Sequence, residues 1–591
     1  MSILMMGKNK GELIFGCDNI ETLDLAQSVT GGRKIRNRYQ IEMHQRCALN
    51  LFTYIKDIEY ESIKPLITML MIKYKKRIEN IDKIKKTDPR FDYDYKGVYP
   101  EVMNHQKVMF NAVMYTDSCA LLADPGTCKT GPYIWAIDKR IQAGKIKKCL
   151  VITLSHLKEN VIQEILIQAP HLRAVALYDR PTARKILHKE YKIKKYNRDY
   201  DVYIASYEGM FSLVEVFDDN YFDMVILDEA HRIGAPRSRQ TKAIVNKFEN
   251  TKYKYIVTGS LNANNLMSFF MPYRFLGGDI APVSSYNIYQ AQHMMSVDPD
   301  GYVWVPRTKW DIEVTSKLIG SIAVMFKKED CLDLPSLIRE YLYCDLFGDQ
   351  RRVYEELKTE LLTTIENICG KCDHKDICDN RCEQDISAKN ALVLVRKLQQ
   401  ITSGFYTNTR YAVDLEGHEE NISNIIYFEN NAKIGLLLET ISQIHKKTII
   451  WSYSIPAIGL IVKAIEAEYG KDSYLTCYGA QNTFDQVNKF REGDEQWMIA
   501  NPSKMGTGQN IQFSSYQVFF DNSFSFIQKE QAESRQHRQG QLEKVTVIEL
   551  IARKTVDEHV VRIIDDKKDL SLTLSQWAKV FRRDNGKFSE A

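Results

Sequence analysis

The sequence lacks the features that place a protein in or across a membrane. None of its apolar runs approaches the roughly 20 residues that a membrane-spanning helix needs. The first residues, MSILMMGKNKGELIFG, have no basic start followed by a long apolar core and a small-residue cleavage site, as a signal peptide would. We therefore expect a protein of a reducing intracellular compartment that makes no contact with a membrane.

The chain also lacks a large excess of charge and any visible repetition. Its 80 basic and 76 acidic side chains leave a net charge of only +4, so any nucleic-acid binding has to come from local basic patches. No repeat of roughly 20–50 residues and no low-complexity tract is visible, which argues against a solenoid or a propeller. The twelve cysteines, without an export signal, predict mostly free thiols or metal ligands and not disulfides.

Short apolar strands that alternate with amphipathic segments are abundant. The first series, from residue 119, is CALLAD, CLVIT, DVYIAS, FDMVILDEAH and YKYIVTGS; the second, from about residue 446, is KKTIIWSY, SYLTCYGA, QWMIANPS, YQVFFDNS and KVTVIELIA. Runs that are apolar throughout are typical of strands buried on both faces of a parallel sheet. Residues 280–430 look mainly helical. The pattern predicts an α/β fold with two parallel-sheet lobes and a helical insertion between them.

Two basic segments lie outside this rhythm. Residues 1–95 combine a short strand, GELIFG, with helical stretches that end in KYKKRIENIDKIKK. A second basic run, RPTARKILHKEYKIKKYNR, covers residues 180–198. Each is either a solvated helix face or an edge that contacts phosphates.

The segment ADPGTCKTG, residues 123–131, has the context of a phosphate-binding loop. A strand precedes it and a helix, TGPYIWAIDKRI, can follow, so backbone N–H groups at a helix N-terminus would face an anion. Lys129 would reach the β- and γ-phosphates, and Thr130 would hold Mg²⁺. Cys128 stands where such loops usually carry glycine, and its Cβ restricts the backbone. The alternative is a strand–turn–helix with a chance Lys-Thr pair.

A second motif, MVILDEAHRI at residues 224–233, is an apolar strand that ends in two carboxylates. Asp228 is placed to hold Mg²⁺ through water, and Glu229 to polarise an attacking water. The alternative is an acidic turn after an ordinary buried strand. The motif follows the loop by about a hundred residues, which suits two strands of one sheet.

A cluster of four cysteines, CGKCDHKDICDNRC, predicts a metal site. Cys369, Cys372, Cys378 and Cys382 can supply four thiolates to a tetrahedral Zn²⁺ that staples a loop beside the second lobe. An iron–sulfur cluster is a second possibility, because spacing alone does not determine the metal. A third is that only one pair binds metal.

Taken together, the motifs of the first half resemble those of the Swi/Snf-like family of superfamily-two helicase-type ATPases, which are DNA translocases. The resemblance extends through CLVITLSHLKENVIQE, YIASYE, LDEAHRIGAPRSRQTKAI and YIVTGSLNANNLMSFFMPYRFLGG, the last with Thr258, Gly259 and Asn264. Gln106, in PEVMNHQKVMF, matches the glutamine that usually reads the adenine edge.

The second half continues the resemblance in the family's order, over roughly residues 95–570. Its segments are FKKEDCLDLPSLIREYLYCDLFGDQRRVYEEL, RKLQQITSGF, MGTGQNIQFSSYQVFFDNSFSF with Gly506 and Gly508, and QAESRQHRQGQ at residues 531–541. The resemblance implies that Arg535 and Arg538 reach the γ-phosphate; the alternative is a surface helix rich in ion pairs. Cys128 for glycine, Ser260-Leu261 for Thr-Pro and Phe524 for tryptophan depart from the family pattern.

The resemblance implies two RecA-like lobes, a helical insertion and a small N-terminal accessory domain. We expect an accessory domain at 1–95, a first lobe at 96–280, an insertion with the cysteine site at 281–430, a second lobe at 431–570 and a tail at 571–591. The accessory domain faintly resembles the module that precedes the motor in annealing helicases; a generic wedge or cover domain is the alternative. The residues expected to bind nucleotide are Gln106, Asp124, Gly126, Thr127, Cys128, Lys129, Thr130, Gly131, Asp228 and Gly508.

The function that the resemblance implies is a DNA-stimulated ATPase, with ATP, Mg²⁺ and Zn²⁺ as cofactors, that moves as a monomer on double-stranded or branched DNA. It would remodel forks, recombination intermediates or protein–DNA complexes, with replication, recombination or transcription proteins as partners. The chain shows no chromatin-reading appendage, so we expect a compact bacterial or viral protein of the bacterial cytoplasm or nucleoid. Two alternatives stay open: an ATPase that acts on RNA polymerase, and a catalytically weakened nucleic-acid-binding scaffold.

Overall fold

The structure is a computed structural model in which the chain forms two compact units. The first unit contains residues 1–295 and 305–331, and the second contains residues 296–304 and 332–591. The structure describes residues 2–7, 12–30, 33–35, 40–44, 51, 55, 57–87, 89–94, 101–177, 200–259, 266–277, 286–296, 304–308, 319–369, 388–413, 419–479, 481–505, 510–523 and 526–565.

The first unit begins with a small five-stranded sheet whose order is β3-β4-β2-β1-β5. Its strands are β1 Ser2–Met6, β2 Glu12–Gly16, β3 Arg33–Lys34, β4 Gln40–His44 and β5 Ile58–Glu59. Strands β1 and β2 are antiparallel, whereas β5 joins β1 in parallel. Leu13 and Phe15 of the GELIFG segment alternate inward and are fully buried, as the period of two in a half-buried strand requires. This sheet accounts for the small N-terminal domain of the expected fold class.

The main sheet of the first unit has seven strands in the order β14-β6-β11-β10-β7-β9-β8, with parallel pairing at each neighbouring pair whose register is resolved. The strands are β6 Ser118–Ala123, β7 Cys149–Thr153, β8 Ala174–Ala176, β9 Val202–Ser206, β10 Met224–Asp228, β11 Tyr253–Thr258 and β14 Ala323–Phe326. Strands β6, β7, β9, β10 and β11 are buried at every residue, which is why their sequences are mostly apolar.

Helices accompany both sheets of the first unit. They are α1 Ile20–Thr30, α2 Lys64–Lys86, α3 Asn104–Tyr115, α4 Thr130–Gln142, α5 Lys158–Gln168, α6 Tyr207–Leu213, α7 Arg239–Lys247, α8 Leu266–Leu276, α9 Tyr286–His293 and α10 Lys328–Cys331. The basic run that ends the N-terminal part is the second half of α2, and its lysines are largely exposed. The other basic segment, residues 180–198, lies outside the described residues.

The second unit contains a six-stranded parallel sheet in the order β15-β22-β21-β18-β20-β19. Its strands are β15 Leu337–Cys344, β18 Thr448–Trp451, β19 Tyr474–Cys477, β20 Trp497–Ala500, β21 Tyr516–Phe519 and β22 Val545–Ala552. The helices of this unit are α11 Gly348–Cys369, α12 Ala388–Thr402, α13 Ala432–Ser442, α14 Ile455–Tyr469, α15 Thr483–Glu492, α16 Pro502–Met505, α17 Phe526–Glu533 and α18 Val556–Asp565. The expected pair of parallel α/β lobes is therefore present.

The region expected to be a mainly helical insertion, 281–430, contains strands as well. These are β12 Met294–Ser296, β13 Trp304–Pro306, β14, β15 and an antiparallel hairpin of β16 Phe405–Val413 with β17 Glu419–Tyr427. Strand β14 lies at one edge of the first main sheet and β15 at one edge of the second. Apolar runs identify central strands, but edge strands such as LIREYLYC carry polar residues and escape that criterion. The proposed domain boundaries otherwise stay predictions.

Among the described residues, no helix is both long enough and apolar enough to cross a membrane. Seven cysteines in this part of the chain form no disulfide, namely Cys17, Cys119, Cys128, Cys149, Cys331, Cys344 and Cys477.

Candidate nucleotide site

The phosphate-loop segment follows β6 and leads into α4, as its sequence predicts. Asp124 ends the strand, where its N–H donates to the Phe326 carbonyl at 3.1 Å and one carboxylate oxygen accepts from the Lys328 N–H at 2.9 Å. Its carbonyl in turn accepts from the Thr127 hydroxyl at 2.8 Å, so this hydroxyl is used within the loop. Asp124 and Thr127, both expected to bind nucleotide, thus shape the loop in this structure.

Two residues of the loop have a positive φ. Gly126 has φ 92°, and Cys128, at the position where glycine is usual, has φ 55°. An L-residue in this left-handed region carries a cost of roughly 1–2 kcal/mol. The backbone therefore adopts a conformation that favours glycine although the side chain is cysteine.

Helix α3 supports the outside of the loop through two neighbouring side chains. His105 Nε2 is 2.9 Å from the Thr127 carbonyl oxygen, and the Gln106 amide donates to the Cys128 carbonyl at 3.2 Å. Gln106 also accepts from the Met103 N–H at 3.1 Å. Burial lowers the pKa of His105, so this imidazole is neutral near pH 7. The expected role of Gln106 in reading adenine stays a prediction; here it braces the loop.

Lys129 and Glu229 form a buried ion pair at the centre of the site. Lys129 Nζ is 3.1 Å from Glu229 Oε1, and the two side chains are only 12% and 8% exposed. Glu229 has φ 54°, a second left-handed non-glycine residue in the site. His231 Nδ1 lies 3.3 Å from the other carboxylate oxygen of Glu229. The loop and the acidic motif, about a hundred residues apart in sequence, are thus joined by their catalytic candidates.

Asp228 ends β10 and is buried beside this pair. Its carboxylate accepts from the Glu229 N–H at 3.1 Å and from the Thr153 hydroxyl at 3.4 Å, while its carbonyl accepts from the Tyr207 hydroxyl at 2.8 Å. Burial, with the neighbouring Glu229 charge, raises the pKa of Asp228 to about 7, against the opposing effect of Lys129. A carboxylate with so few donors around it is suited to a divalent cation.

The pKa of Glu229 moves in the opposite direction. Burial alone would raise it, but the Lys129 ammonium and His231 outweigh burial and hold it below its usual range. Glu229 is therefore ionised at neutral pH. Two adjacent carboxyls whose environments separate their pKa values are a common feature of catalytic sites.

The segment after β11 approaches the same loop. His231 Nδ1 is 3.4 Å from the Thr258 hydroxyl, and a Cβ added to Gly259 would lie only 3.1 Å from Pro125. Thr258 and Gly259 therefore touch the acidic motif and the phosphate loop. Residues 260–265 of this motif, including Ser260, Leu261 and Asn264, lie outside the described residues, and α8 follows them.

The beginning of α4 has the remaining expected ligands. Thr130 is the first residue of this 13-residue helix, and Lys129 is its N-cap. A Cβ on Gly131 would come within 2.8 Å of the Trp135 ring and 2.9 Å of Gln168, so Gly131 is also required by packing. The free N–H groups of the first turn, together with Lys129, form a region of positive potential.

The second unit has its own candidate site in residues 531–541, which we call the arginine segment. Within it Gln536 and Gln541 are buried and hold the backbone: Gln536 Nε2 donates to the Ser514 hydroxyl at 2.7 Å and the Tyr516 carbonyl at 2.8 Å, and Gln541 donates to the Ser514 carbonyl at 3.0 Å. Arg535 and Arg538 are only half-buried. The glutamines fasten the segment, and its two arginines keep part of their surface exposed.

Residues next to the sheet orient the two arginines. The Arg535 carbonyl accepts from the Ile511 N–H at 3.1 Å, and its Nε donates to the Gln531 carbonyl at 3.2 Å. The Arg538 guanidinium donates to the side chain of Asn510. Asn510 belongs to the motif MGTGQNIQFSSYQVFFDNSFSF, and the sequence analysis did not predict a role for it. Its position as a polar residue soon after Gly506 and Gly508 is the signal that could have identified it. Gly506, Gly508 and Phe524 lie outside the described residues.

A cavity of about 770 Å³ adjoins this segment within the second unit. Asn510, Gly540 and Gln541 line it, together with three cations, Lys446, Lys447 and Arg491. Glu543 is the one carboxylate among the lining residues, so the wall is net positive. An anionic ligand is favoured beside the arginine segment.

Most of the four-cysteine cluster is not covered by the structure. Cys369 is the last residue of α11, while Cys372, Cys378 and Cys382 lie outside the described residues. Within the described ranges, no group of three or more His, Cys, Asp or Glu side chains is arranged to hold a metal ion. The zinc or iron–sulfur site stays a prediction.

Comparisons with known proteins agree with these motifs. A family model described as "SNF2-related domain" matches residues 68–404, more than half of the chain. The chain is 23% identical to an uncharacterized ATP-dependent helicase of Mycoplasma genitalium, MG018, over 76% of this chain and 40% of that protein. It is 22% identical to the ATP-dependent helicase FUN30 of Saccharomyces cerevisiae, over 78% of this chain and 45% of that protein. The chain thus spans less than half the length of either relative.

Among solved structures, the chain is similar to the SWI2/SNF2 ATPase core of Sulfolobus solfataricus in complex with dsDNA. The identity is 19%, the match covers 84% of this chain and 97% of that one, and the TM-score is 0.38.

Proposed function

Since this chain belongs to the SNF2-related family of helicase-type ATPases, we propose that it is a DNA-stimulated ATPase that translocates on double-stranded or branched DNA. In this proposal it acts as a monomer and remodels forks, recombination intermediates or protein–DNA complexes. The observation that carries the proposal is the buried contact of Lys129 with Glu229, beside Asp228. This contact brings Lys129 together with two carboxylates whose pKa values are shifted in opposite directions. All three lie at the carboxyl ends of strands in one parallel sheet.

The residues of the first unit fit a nucleoside triphosphate with Mg²⁺. The N–H groups at the start of α4 and Lys129 would hold phosphate oxygens, while Thr130 and Asp228 would hold the cation. The buried Asp228 carboxyl, with its raised pKa, gains a partner that stabilises its ionised form. When bound, Mg²⁺·ATP supplies the phosphoryl group and a charge that offsets the buried carboxylates.

The ion pair sets the order of events in the first unit. Lys129 cannot neutralise Glu229 and a phosphate equally, so binding of a triphosphate draws Lys129 away from the Glu229 carboxylate. Glu229 is then free to accept a hydrogen bond from a water and orient it. His231, 3.3 Å from Glu229, keeps the carboxylate in place and connects it to Thr258.

Arg535 and Arg538 of the second unit would supply positive charge to the transferring phosphoryl group. Arginines in this role contribute on the order of 10³–10⁵ to the rate in related phosphoryl-transfer systems. Their place in a segment fastened by Gln536 and Gln541 supports this assignment. Affinity for DNA would come mainly from phosphate contacts, which carry no sequence information and suit a motor that moves over any sequence.

A steady-state ATPase assay tests the proposal. Rates are compared without nucleic acid and with single-stranded, duplex, forked and four-way DNA and with RNA, at one salt concentration. We expect stimulation by duplex or branched DNA that Lys129→Ala abolishes. Lys139→Ala, on the same helix but in a partly exposed ion pair with Asp92 at 3.1 Å, is the matched control and should keep full activity.

Two outcomes would replace the proposal. Full stimulation by RNA polymerase, with little from DNA, would favour the polymerase-directed alternative. DNA binding without turnover in the wild-type protein would favour a weakened scaffold.

For the cysteine cluster we propose a structural Zn²⁺ held by Cys369, Cys372, Cys378 and Cys382. Metal analysis of protein purified without added metal should find about one zinc per chain. Iron with acid-labile sulfide would indicate a cluster instead.

A further inference from the structure

The arginine segment is also connected to the part of the chain that enters the second unit. We call residues 332–339 the entry segment, because the chain passes from the first unit to the second at Leu332. Arg339 in β15 makes a bidentate contact with Glu533, its two terminal nitrogens lying 2.8 and 2.6 Å from the carboxylate oxygens. Such fork-to-fork pairs constrain direction as well as distance.

A second contact joins the same two segments four residues further along the chain. His537 Nε2 lies 2.8 Å from the Pro335 carbonyl oxygen. Glu533 and His537 are four residues apart and flank Arg535, while Pro335 and Arg339 are four residues apart in the entry segment. Each end of the interval that carries Arg535 is therefore tied to the same short stretch of chain.

Buried charges behind Glu533 make this connection rigid. Glu549 in β22 is completely buried and accepts from Lys529 Nζ at 2.5 Å and from the Asn522 amide at 3.0 Å. Arg339 also lies 3.8 Å from Glu549. Two carboxylates and two cations thus lie together across β15, β22 and α17: Glu533 contacts Arg339, and Glu549 is close to Lys529, Asn522 and Arg339.

The glutamine contacts already fasten the arginine segment to the sheet, so the contacts of Glu533 and His537 do something different: they join it to the entry segment. Resting on the proposed function, we propose that Arg339, Glu533 and His537 are positioning residues. Through them, the path of the entry segment determines the orientation of the Arg535 and Arg538 side chains. A change in the course of the entry segment then changes the direction of both arginines. These three residues touch neither nucleotide nor DNA in this scheme.

Steady-state kinetics of Arg339→Gln and Glu533→Gln test the coupling. Misplacing a catalytic group by about 1 Å costs on the order of 10²-fold in rate. We therefore expect DNA-stimulated kcat to fall about 10–100-fold while the KM for ATP changes by less than about threefold. Arg339→Lys, which keeps the charge but loses the fork, should recover part of the loss. Arg352→Gln, in exposed pairs with Asp349 and Glu356, is the control and should match wild type.

A double-mutant cycle with Arg535→Ala separates positioning from general stability. If Arg339 acts through the arginine segment, Arg535→Ala costs much less in the Arg339→Gln background than in wild type. Independent, multiplying losses would overturn the proposal, as would an equal rise in KM or an unchanged kcat.

A further variant tests the coupling if Arg339→Gln does not fold, as judged by its thermal melting curve. This variant, His537→Leu, removes the contact with Pro335. It should lower kcat in the same manner; wild-type kcat in this variant would overturn the proposed coupling. The proposed function fails separately, if wild-type protein has no DNA-stimulated turnover or Arg535→Ala has no effect.

Discussion

The two candidate sites, one in each unit, handle their charges in opposite ways. In the first unit the charged groups expected to do the chemistry are buried and neutralise one another, with Lys129 and Glu229 only 12% and 8% exposed. In the second unit the arginines expected to do the chemistry are half-buried, and the buried ion pair of that unit, Glu549 with Lys529, is formed by other residues. The candidate charges are thus paired with each other in the first site, whereas in the second site they are partly exposed.

This difference indicates what each site requires of a ligand. A buried ion pair that loses one partner leaves an uncompensated charge, which costs roughly 3–5 kcal/mol. Under the proposed function, the first site would therefore open when a phosphate replaces Glu229 as the partner of Lys129. The second site would need no such exchange, because Arg535 and Arg538 keep part of their surface exposed. Selectivity for a triphosphate would then reside in the first unit, and acceleration of hydrolysis in the second.

The largest expected effect tests the role of the two arginines of the arginine segment. Arg535→Ala or Arg538→Ala should lower DNA-stimulated kcat by about 10³-fold or more, because each removes a positive charge proposed to stabilise the transferring phosphoryl group. Binding of ATP, measured with a fluorescent analogue, should change far less. Arg553→Ala, an exposed arginine of the same unit 3.8 Å from Asp345, is the control. If Arg553→Ala lost as much activity as Arg535→Ala or Arg538→Ala, the distinction between the two sites would not hold.

The next effect tests the ion pair of Lys129 with Glu229. Glu229→Gln should lower kcat by about 10²–10⁴-fold, since it removes the carboxylate that orients water. Nucleotide affinity should rise, because Lys129 no longer has to leave an anionic partner. Glu208→Gln, which changes an exposed carboxylate 2.8 Å from Arg232, should alter neither quantity. Weaker nucleotide binding by Glu229→Gln would contradict the exchange of partners by Lys129.

A smaller effect concerns His105, the neutral imidazole that contacts the phosphate loop of the first site. Burial lowers the pKa of His105, so above about pH 6.5 both the folded and unfolded chains hold it neutral. As the pH falls below about 6.5, the unfolded chain binds a proton that the folded chain resists. Folded stability should then decrease by up to about 1.4 kcal/mol per pH unit.

Urea unfolding at pH 7.5 and 5.5 measures this loss, with His105→Gln as the comparison. His105→Gln should lack the loss of stability that arises from protonation of His105 in the unfolded chain. The wild-type protein should therefore lose more stability than this variant between pH 7.5 and 5.5. An identical loss in both proteins would show that His105 is not held neutral by its surroundings.

The smallest effect is expected at Cys128. Glycine would relieve roughly 1–2 kcal/mol of left-handed strain but lose roughly 0.5–1 kcal/mol to a more flexible unfolded chain, so Cys128→Gly should be nearly neutral in stability. ATP turnover should stay equal or rise, because the loop keeps the same φ of 55°. Cys128→Val is the contrast: a β-branched residue is strongly disfavoured there, and its turnover should fall. A collapse of turnover in Cys128→Gly would mean that the thiol itself is needed.

Much of the fold could be predicted because its central strands carry a plain signal. Strands β6, β7, β9, β10 and β11 are buried at every residue, and a strand covered on both faces is mostly apolar. Edge strand β15 was not found because polar residues interrupt its apolar run, whereas β14, AVMF, is apolar but only four residues long. The sequence also placed Lys129, Asp228 and Glu229 in one candidate site, and the structure brings them together; their roles toward a nucleotide stay predictions.

The sequence by itself determined that two parallel α/β lobes would form, and it predicted which charged residues are candidates for a nucleotide site. Periodicity and motif order depend on nearby residues, so they are visible along the chain. Only the tertiary structure decided that Lys129 is paired with Glu229, that Cys128 has a left-handed backbone and that Glu533 meets Arg339. These contacts join residues about 100 and 194 positions apart or depend on backbone angles, and no local pattern specifies them.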